Sequence, residues 1–372
     1  MDSDRDSDKD DVRRRFRAAM ARCERAVFFH APQPPDGVLR DLLAREDLPA
    51  ADAWDRYGED GPVAALEGRV AELLGKPAAA FFPSGVMAQQ CVLRVWCDRA
   101  GSRRVALPDL SHLLRHEDDG PRLLHGLEFL HLTEGAATPT AADLAGLPGP
   151  LGAVLVELPL RDGGFLLPTW EELAALSGAC RERGVPLHLD GARLWESQPH
   201  LGRPLEEVAA LADSVYVSFY KGLGGLAGAV VAGPDDVLAE ARVWRHRMGG
   251  TIFSLHPIAL AALAGLADQL PLMGELHARA QTLAEALHAA GFRTVPEEPH
   301  TPSFRVYVAG EAAALTERVL AFMDEHAMTL CPPWEPAEVP GWAWTELVVT
   351  GETLQHPVEQ VVAWLGAITT GS

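Results

Sequence analysis

His188-Leu189-Asp190-Gly191-Ala192-Arg193 and Ser218-Phe219-Tyr220-Lys221-Gly222-Leu223-Gly224-Gly225 are the two stretches of sequence that decide the fold. Each begins in a short apolar run typical of a buried strand and ends in a glycine-containing turn. Asp190 and Lys221 lie 31 positions apart, and each stands where its strand ends. Because ligands of parallel sheets bind beyond the carboxyl ends of the strands, we expect both side chains at one ligand-binding edge.

Strands and helices alternate on both sides of these two stretches. Short apolar strands separated by helices of about 10 to 15 residues indicate an α/β fold with a mostly parallel sheet covered on both faces. The predicted strands are 78–82, 151–158, 185–189, 214–219 and 227–232, and the predicted helices are 63–74, 86–99, 169–183 and 257–270.

The pattern changes near residue 271, where two helices (274–290 and 311–326) and two strands (303–308 and 346–350) predict a smaller α+β domain. The first fifteen residues hold six Asp against five Lys or Arg and almost nothing apolar, which favours a solvated, disordered tail. The predicted division is therefore a disordered tail (1–15), an N-terminal segment (16–56), a large domain (57–270) and a small C-terminal domain (271–372).

Composition narrows the range of partners and locations. The net charge of −20, from 32 basic and 52 acidic residues, repels nucleic-acid phosphates and anionic lipid surfaces. The five cysteines are scattered without metal-ligand spacing, which suits a reducing compartment and predicts no metal site. No apolar run approaches the roughly 20 residues of a membrane span, and the N-terminus does not resemble a signal peptide. We expect a soluble, cytoplasmic protein that acts on a small molecule.

Two further segments carry residue types suited to a phosphorylated aromatic ligand. Ser84-Gly85-Val86 is a small-residue turn between a predicted strand and a helix, where free N–H groups and the helix dipole attract a phosphate. His112 follows a turn and is able to lie flat on an aromatic ring. Each has an ordinary alternative, since Ser-Gly turns are common and single histidines often lie on the surface.

Asp190 and Lys221 also have an ordinary structural alternative to a ligand-binding role. A carboxylate at the end of a buried strand is costly unless a cation faces it, although Asp190 could instead cap the next helix. A lysine at the end of a buried strand has a lowered pKa and a nucleophilic amine, although Lys221 could be a solvated loop residue. Pyridoxal 5'-phosphate uses all four features: a lysine for its aldehyde, a carboxylate for its ring nitrogen, a phosphate turn and a stacking imidazole.

From about Tyr57 to Leu260 the chain resembles the low-specificity L-threonine aldolase and β-eliminating lyase family of fold-type I pyridoxal-phosphate enzymes. The most specific part of the resemblance is the Asp-Gly-Ala-Arg and Lys-Gly-Leu-Gly pair. The matching motifs, in the family's order, are Tyr57-Gly58-Glu59-Asp60, Pro83-Ser84-Gly85, Ser111-His112, His188-Leu189-Asp190-Gly191-Ala192-Arg193-Leu194, Lys221-Gly222-Leu223-Gly224 and Arg247-Met248-Gly249-Gly250.

The resemblance implies a role for each matching residue and a fold of the pyridoxal-phosphate-dependent transferase type. Catalysis would rest on Lys221, the Schiff-base lysine, with Asp190 on the pyridine nitrogen and His112 stacked on the ring. Ser84, Gly85 and Val86 would hold the phosphate. Arg193 would bind the substrate carboxylate close to the cofactor. Tyr57 would also contact the substrate. Because the family's sites lie between subunits, the resemblance also implies a homodimer or homotetramer.

Two departures from the family bear on the substrate. Glu157-Leu158-Pro159-Leu160-Arg161 stands where the family has Glu-Asn-Thr-His-Asn, so a histidine near the substrate hydroxyl is missing. No Lys or Arg follows Arg318, so the family's second carboxylate-binding arginine is missing too. Arg305 is a candidate substitute, and its alternative is a solvent-facing strand residue.

These observations predict a lyase that cleaves a β-hydroxy-α-amino acid to glycine and an aldehyde, with an amino acid or amine as its small-molecule partner. The alternative is a β-eliminating lyase, racemase or transferase acting on a divergent, bulkier substrate. A protein that binds the cofactor without turnover also remains open. Product analysis separates the three, because only aldol cleavage releases glycine and only elimination releases ammonia with a 2-oxo acid.

Overall fold

The structure is a computed structural model that describes residues 2–30, 33–48 and 54–370. The helices are α1 (Asp2–Met20), α2 (Pro35–Ala44), α3 (Gly61–Leu73), α4 (Gly85–Ala100), α5 (His112–Arg115), α6 (Gly120–His125), α7 (Ala141–Gly146), α8 (Trp170–Arg183), α9 (Leu194–Leu201), α10 (Leu205–Ala210), α11 (Asp235–Arg247), α12 (His256–Asp268), α13 (Met273–Ala289), α14 (Ala312–His326), α15 (Gly351–Leu354) and α16 (Val358–Thr370). The strands are β1 (Arg25–Ala26), β2 (Ala78–Phe82), β3 (Arg104–Leu107), β4 (Glu128–His131), β5 (Ala153–Glu157), β6 (Leu187–Gly191), β7 (Ser214–Ser218), β8 (Ala229–Gly233), β9 (Arg293–Val295), β10 (Ser303–Ala309), β11 (Met328–Thr329), β12 (Glu335–Pro336) and β13 (Trp342–Val348).

The chain divides into two compact units. The large unit is Leu39–Pro271, and the small unit combines Met1–Val38 with Leu272–Ser372.

The large unit is built on one sheet. Among the described residues, seven strands lie in the order β2-β8-β7-β6-β5-β3-β4, and every neighbouring pair is parallel except the two that β8 forms. Strands β5 to β8 are buried along their whole length, because helices cover both faces of the sheet. The prediction of an α/β fold with a mostly parallel sheet is confirmed, and β6 and β7 are neighbours as expected.

Local sequence signals set the strand ends that matter for function. Helix α8 begins at a capping box formed by Thr169 and Glu172 and ends at Gly184, which takes a left-handed φ of 67°. The chain then enters β6 within three residues and reaches Asp190 at the far end of that strand. Glu157, Asp190 and Tyr216 are register partners on β5, β6 and β7. Partners in a parallel pair project to the same face, so these three side chains share one face of the sheet.

The small unit holds an antiparallel sheet in the order β12-β13-β10-β9, and a parallel pair formed by β1 and β11. In the antiparallel sheet Arg305 is the register partner of Glu346. Helices α13 and α14 both pack against α16. This is the α+β arrangement predicted for the C-terminal residues.

The prediction of a disordered tail at residues 1–15 is wrong for residues 2–15, which lie in helix α1. From Asp10 onward, several charged side chains of this helix form ion pairs. Arg15 donates two hydrogen bonds of 2.6 Å to Glu317 on α14, and Arg14 pairs with Asp11 one turn earlier. Phe16, directly after the predicted tail, is buried.

The predicted N-terminal segment 16–56 is also corrected, because it is divided between the two units. Val27 and Phe28 are fully buried in the small unit, where the Val27 amide donates to the Thr329 carbonyl at 2.8 Å. The large unit begins at Leu39 instead of residue 57. Within it, the buried Asp55 carboxylate accepts hydrogen bonds from the Leu255 amide and the Ser254 hydroxyl.

Within the described ranges, the stretch His256–Ala289 has the length and apolar composition of a membrane-crossing helix. It is divided by a 3-10 turn at Leu270–Leu272 into α12 and α13. Helix α12 packs on α3 of the large unit, and α13 packs on α16 of the small unit. Core helices of soluble proteins commonly pass the same test of length and composition.

Candidate active site

A cleft lies at the carboxyl edge of the parallel strands of the large unit. Its walls include six residues from five different strand ends: Gly85 after β2, His112 after β3, Glu157 on β5, Asp190 on β6 with Arg193 after it, and Lys221 after β7. The cleft therefore brings together residues from all four segments that the sequence singled out.

Lys221 supplies an amine with a low pKa. Burial of the side chain, together with the nearby charge of Arg193, lowers the pKa of Lys221 to about 8. The carboxylates of Asp190, Glu157 and Glu196 oppose this shift without cancelling it. A larger fraction of this amine is neutral at physiological pH than of an exposed lysine, so Lys221 is suited to attack a carbonyl.

Asp190 is buried at the end of β6 beside cations. Burial raises its pKa, and the charges of Lys221 and His112 oppose that rise. One carboxylate oxygen accepts a hydrogen bond of 3.1 Å from the Ala192 amide, two residues on. The cap position of α9 is held by Arg193, so Asp190 is not a helix cap. Its carboxylate is therefore available to a cationic partner in the cleft.

The turn before α4 forms an anion-binding end of the cleft. Ser84 caps the helix by accepting a hydrogen bond of 3.3 Å from the Met87 amide, and the other first-turn N–H groups have no partner within the helix. A Cβ on Gly85 would lie 2.0 Å from the Tyr216 hydroxyl, so only glycine fits there. Burial raises the pKa of Tyr216 well above its usual value, which keeps the hydroxyl protonated as a donor.

His112 is held from two sides. Its backbone amide donates to Glu157 Oε2 at 2.9 Å, and its ring Nδ1 lies 3.4 Å from Glu117 Oε1. The Glu117 carboxylate also accepts a hydrogen bond of 2.9 Å from Gln90. The hydrogen bond to Glu117 raises the pKa of His112, although burial opposes the rise. The imidazole is thus fixed in orientation at the cleft wall and is not a freely solvated side chain.

Arg193 is fixed by an acid and by an aromatic ring. Its Nε lies 3.7 Å from Glu196 Oε1, and its guanidinium carbon lies 5.2 Å from the centre of the Phe165 ring. Glu196 is buried, and burial raises its pKa against the opposing charge of Arg193. A Cβ on Gly222 would lie 2.5 Å from Glu196 Oε1, so a larger residue after Lys221 would displace the Glu196 side chain.

Glu157 belongs to the site although the sequence analysis gave it no role. Its carboxylate accepts backbone hydrogen bonds from His112 and Arg161, at 2.9 and 3.2 Å. Burial, followed by the charge of Asp190, raises the pKa of Glu157 to about 7. The signal was present, because an acid at the end of a buried strand is the same feature that identified Asp190. Glu117 lies between α5 and α6 and Glu196 lies in the first turn of α9, and neither position carries such a signal.

Tyr57 and Arg305 were predicted to contact substrate, and the structure places both outside the set of side chains described above. Tyr57 lies in the large unit, with its ring edge-on to Phe253 at 5.4 Å. Arg305 lies in the small unit, where its guanidinium is 3.5 Å from Glu346 and 4.3 Å from the centre of the Trp344 ring. Arg305 is mostly buried and therefore not a solvent-facing strand residue. Their roles toward substrate stay predictions.

The donor set of the cleft fits pyridoxal phosphate. It combines a buried amine of low pKa, a buried carboxylate, a fixed imidazole and a helix N-terminus. At that N-terminus stands a glycine, where the Cβ of any other residue would fill the space. These are the partners that the aldehyde, ring nitrogen, ring face and phosphate of the cofactor require. In residues 2–30, 33–48 and 54–370, no group of three His, Cys, Asp or Glu side chains is placed to hold a metal ion.

Comparisons with known proteins agree with this geometry. Residues 45–311 match the family model described as β-eliminating lyase. The chain is 31% identical over 265 residues to a probable low-specificity L-threonine aldolase of Arabidopsis thaliana, covering 68% of this chain and 73% of that protein. A crystal structure of a putative L-allo-threonine aldolase from Listeria monocytogenes has 37% identity and a TM-score of 0.88, covering 96% of this chain and 99% of that one. A putative aromatic amino acid β-eliminating lyase/threonine aldolase from Exiguobacterium has 34% identity and the same TM-score, covering 95% and 99%.

Proposed function

This chain belongs to the β-eliminating lyase family and is a pyridoxal-phosphate-dependent lyase of the threonine aldolase type, and we propose that its cleft cleaves a β-hydroxy-α-amino acid to glycine and an aldehyde. The observation that carries this proposal is the buried Lys221 amine, whose pKa is about 8, beside the Asp190 carboxylate at one sheet edge.

Each part of the cofactor has a matching group in the cleft. The neutral Lys221 amine would hold the aldehyde, Asp190 would keep the ring nitrogen protonated, and His112 would stack on the ring. The N-terminus of α4 and the Tyr216 hydroxyl would hold the phosphate. When bound, pyridoxal phosphate supplies an electron sink for negative charge at the Cα of the substrate.

The remaining groups bind substrate and move protons. Arg193 binds the α-carboxylate, since an arginine–carboxylate pair is among the strongest polar contacts available to a small ligand. His112 accepts the proton of the β-hydroxyl as the Cα–Cβ bond breaks, and Glu117 holds the imidazole in position for this transfer.

The test is product analysis on the purified protein incubated with pyridoxal phosphate and L-threonine. We expect glycine and acetaldehyde in equal amounts. Ammonia with a 2-oxo acid would instead identify an eliminating lyase. If the protein takes up no cofactor, the whole proposal fails.

The second candidate is β-elimination, or a racemase or transferase reaction, on a bulkier amino acid. Similarity to the Exiguobacterium protein, whose description includes aromatic amino acids, supports a bulkier substrate. The change from Glu-Asn-Thr-His-Asn to Glu157-Leu158-Pro159-Leu160-Arg161 in this chain also supports a different substrate. L-phenylserine and L-threonine should be compared in the same product assay. Ammonia with phenylpyruvate from L-phenylserine would support elimination on a bulkier substrate, whereas glycine with benzaldehyde leaves the aldolase proposal standing.

We also propose a homodimer or homotetramer. Tyr57, Ile252 and Phe253 are exposed apolar residues of the large unit, and the rings of Tyr57 and Phe253 are in contact. Clustered exposed apolar side chains favour an interface between subunits. Sedimentation velocity of the wild type and of Phe253→Glu tests this proposal, because the variant should shift toward monomer.

The proposed location is the cytoplasm, without a nucleic-acid or membrane partner. The net charge of −20 and five buried free thiols support it. Cell fractionation should recover the protein in the soluble cytoplasmic fraction.

A further inference from the structure

A short loop after β5 shapes the cleft wall beside Arg193. It is closed by the bridge between Leu160 and Leu166, whose amide and carbonyl are 2.9 Å apart. Phe165, near the end of the loop, is buried and lies against the Arg193 guanidinium. Arg161 lies on the same loop and lines the cleft. One loop thus supports two arginines at a single binding site.

The backbone of Arg161 is rigidly held. Its amide donates to Glu157 Oε1 at 3.2 Å, and its carbonyl accepts from the Gly164 amide at 2.9 Å. A fixed backbone reduces the conformational entropy that an arginine loses when it binds an anion. Arg161 is therefore better prepared for binding than an arginine on a mobile loop.

The acid next to Arg161 is shared with a histidine. Arg161 Nη1 lies 3.5 Å from Asp162 Oδ1, whereas Asp162 Oδ2 lies 2.8 Å from the His116 ring. The arginine contact is the longer of the two, at the outer limit of a hydrogen bond. About a third of the Arg161 side chain is exposed and it lines the cleft, so a ligand carboxylate can reach the guanidinium and bind it through two parallel hydrogen bonds.

The order of the strands in the sheet suggests different binding roles for Arg193 and Arg161. Lys221 follows β7, Arg193 follows the adjacent β6, and Arg161 follows β5, one strand further on. Neighbouring strands lie about 4.8 Å apart. Arg193 and Lys221 follow adjacent strands and line the same cleft, so Arg193 is the nearer of the two arginines to the reacting amino group. An anion more distant from that amino group would therefore meet Arg161.

We propose that Arg161 binds a second carboxylate of the substrate, carried on the substituent of its β-carbon, so that the substrate class is acidic β-hydroxy-α-amino acids. This proposal rests on the proposed aldol function. Bond making and breaking do not change, because the Cα–Cβ bond still breaks and the β-hydroxyl carbon still becomes an aldehyde. For 3-hydroxyaspartate the products are glycine and glyoxylate.

Binding of L-aspartate and L-asparagine to the pyridoxal-phosphate-loaded protein tests the charge directly, because the two ligands have nearly the same shape. By isothermal titration calorimetry, we expect the wild type to bind L-aspartate about tenfold or more tightly than L-asparagine, the range of one charged hydrogen bond. Arg161→Gln should reduce this ratio to near one. Arg161→Lys keeps the charge but cannot donate two parallel hydrogen bonds, so it should retain part of the preference for L-aspartate.

The matched control is Arg69→Gln, which removes the same charge from the exposed side of α3 and should leave the ratio unchanged. Thermal melting of each variant checks that it folds. A wild-type ratio near one would overturn the proposal. Equal weakening of both ligands in Arg161→Gln would also overturn it, because Arg161 would then bind the α-carboxylate.

A second measurement separates this proposal from the proposed function. Cleavage of L-threo-3-hydroxyaspartate and of L-threonine is compared through kcat/KM, with glyoxylate and acetaldehyde quantified. A preference of about tenfold or more for the acidic substrate supports the role of Arg161. Cleavage of threonine without such a preference leaves the aldolase function standing and refutes the role of Arg161. If neither substrate is cleaved, the aldolase function fails, and the acidic-substrate class fails with it.

Discussion

Asp190 is an acid in an almost water-free position, and its charge depends on its neighbours. Burial favours the protonated form, whereas Lys221 and His112 favour the ionised form. A protonated ring nitrogen of the cofactor would add a further cation beside this carboxylate. The residue therefore contributes most when that nitrogen is present and positively charged.

Replacing Asp190 by Asn tests this role. The variant loses the charge that keeps the ring nitrogen protonated, so we expect turnover to fall more than about 100-fold, or about 3 kcal/mol of transition-state stabilisation. Cofactor should still attach to Lys221, as checked by borohydride reduction and peptide mapping. Asp236→Asn is the control, because Asp236 is exposed and pairs with Arg99. Near-normal turnover of Asp190→Asn would reduce Asp190 to a structural residue.

The pKa of Lys221 makes a second prediction at the same scale. Only the neutral amine attacks an aldehyde, so the rate of cofactor uptake by cofactor-free protein should rise with pH and level off above about 8. The uptake rate is followed by absorbance after mixing with pyridoxal phosphate. N-acetyl-lysine serves as the reference, since its amine titrates near about 10.4. If the protein's profile followed the reference, Lys221 would not be buried as described.

Helix α4 shows how an element prepares a site. Its N-terminus begins directly after β2, so its first amides reach the cleft edge, and its buried face includes residues of the large hydrophobic cluster under the sheet. The position of the helix relative to β7 is fixed closely enough that Gly85 touches Tyr216. The anion-binding end therefore depends on the packing of two elements.

The change Gly85→Ala should disturb this packing. The new methyl group would overlap the Tyr216 hydroxyl, which we expect to destabilise the protein by about 1–3 kcal/mol and to weaken cofactor binding. Adding Tyr216→Phe should restore part of the stability by removing the hydroxyl. Gly178→Ala in α8 is the control, since its Cβ meets nothing within 4 Å. Thermal melting and cofactor titration give the result, and an unperturbed Gly85→Ala would contradict the contact.

Elements with continuous apolar runs could be predicted from the sequence to within a few residues. The strand predicted at 78–82 is β2, and the strand predicted at 214–219 is β7. No prediction was made for β3 and β4, because each is four residues long and includes a charged residue. The antiparallel direction of β8 was also missed, since apolar runs carry no information on direction. Asp190 and Lys221 at strand ends were identified from the sequence and Glu157 was not, whereas Glu117 reaches the cleft only through tertiary packing.

At the scale of the whole molecule, the charged N-terminal residues show the limit of composition arguments. Their composition predicts a solvated tail, yet Arg15 donates a hydrogen bond to Glu317, more than three hundred positions away. A partner at that separation leaves no local signal in the sequence. The small unit is thus assembled from both ends of the described chain.

Phe28→Ala tests whether the N-terminal residues stabilise that unit. Phe28 is fully buried, so we expect a loss of about 3–5 kcal/mol in the free energy of unfolding. Limited proteolysis should then cut first within residues 272–370. Leu43→Ala is the control, because Leu43 is 76% exposed and its truncation should change stability by no more than about 0.5 kcal/mol. Equal stability of the two variants would exclude a structural role for the segment.

The pairing of β1 with β11 cannot form until late in synthesis on the ribosome, because β11 is translated long after β1. At about 5–20 residues per second, the ribosome needs roughly 15–60 s to reach Thr329 after it has made Phe28. During that time the apolar residues Val27 and Phe28 have no partner strand, while the whole of Leu39–Pro271 is made. Nascent chains arrested at Asp268 should therefore be cut by protease near Phe28, whereas the released protein resists cleavage there. The large unit can fold before β1, which precedes it in the chain, has paired with β11. The order of folding therefore differs from the order of translation.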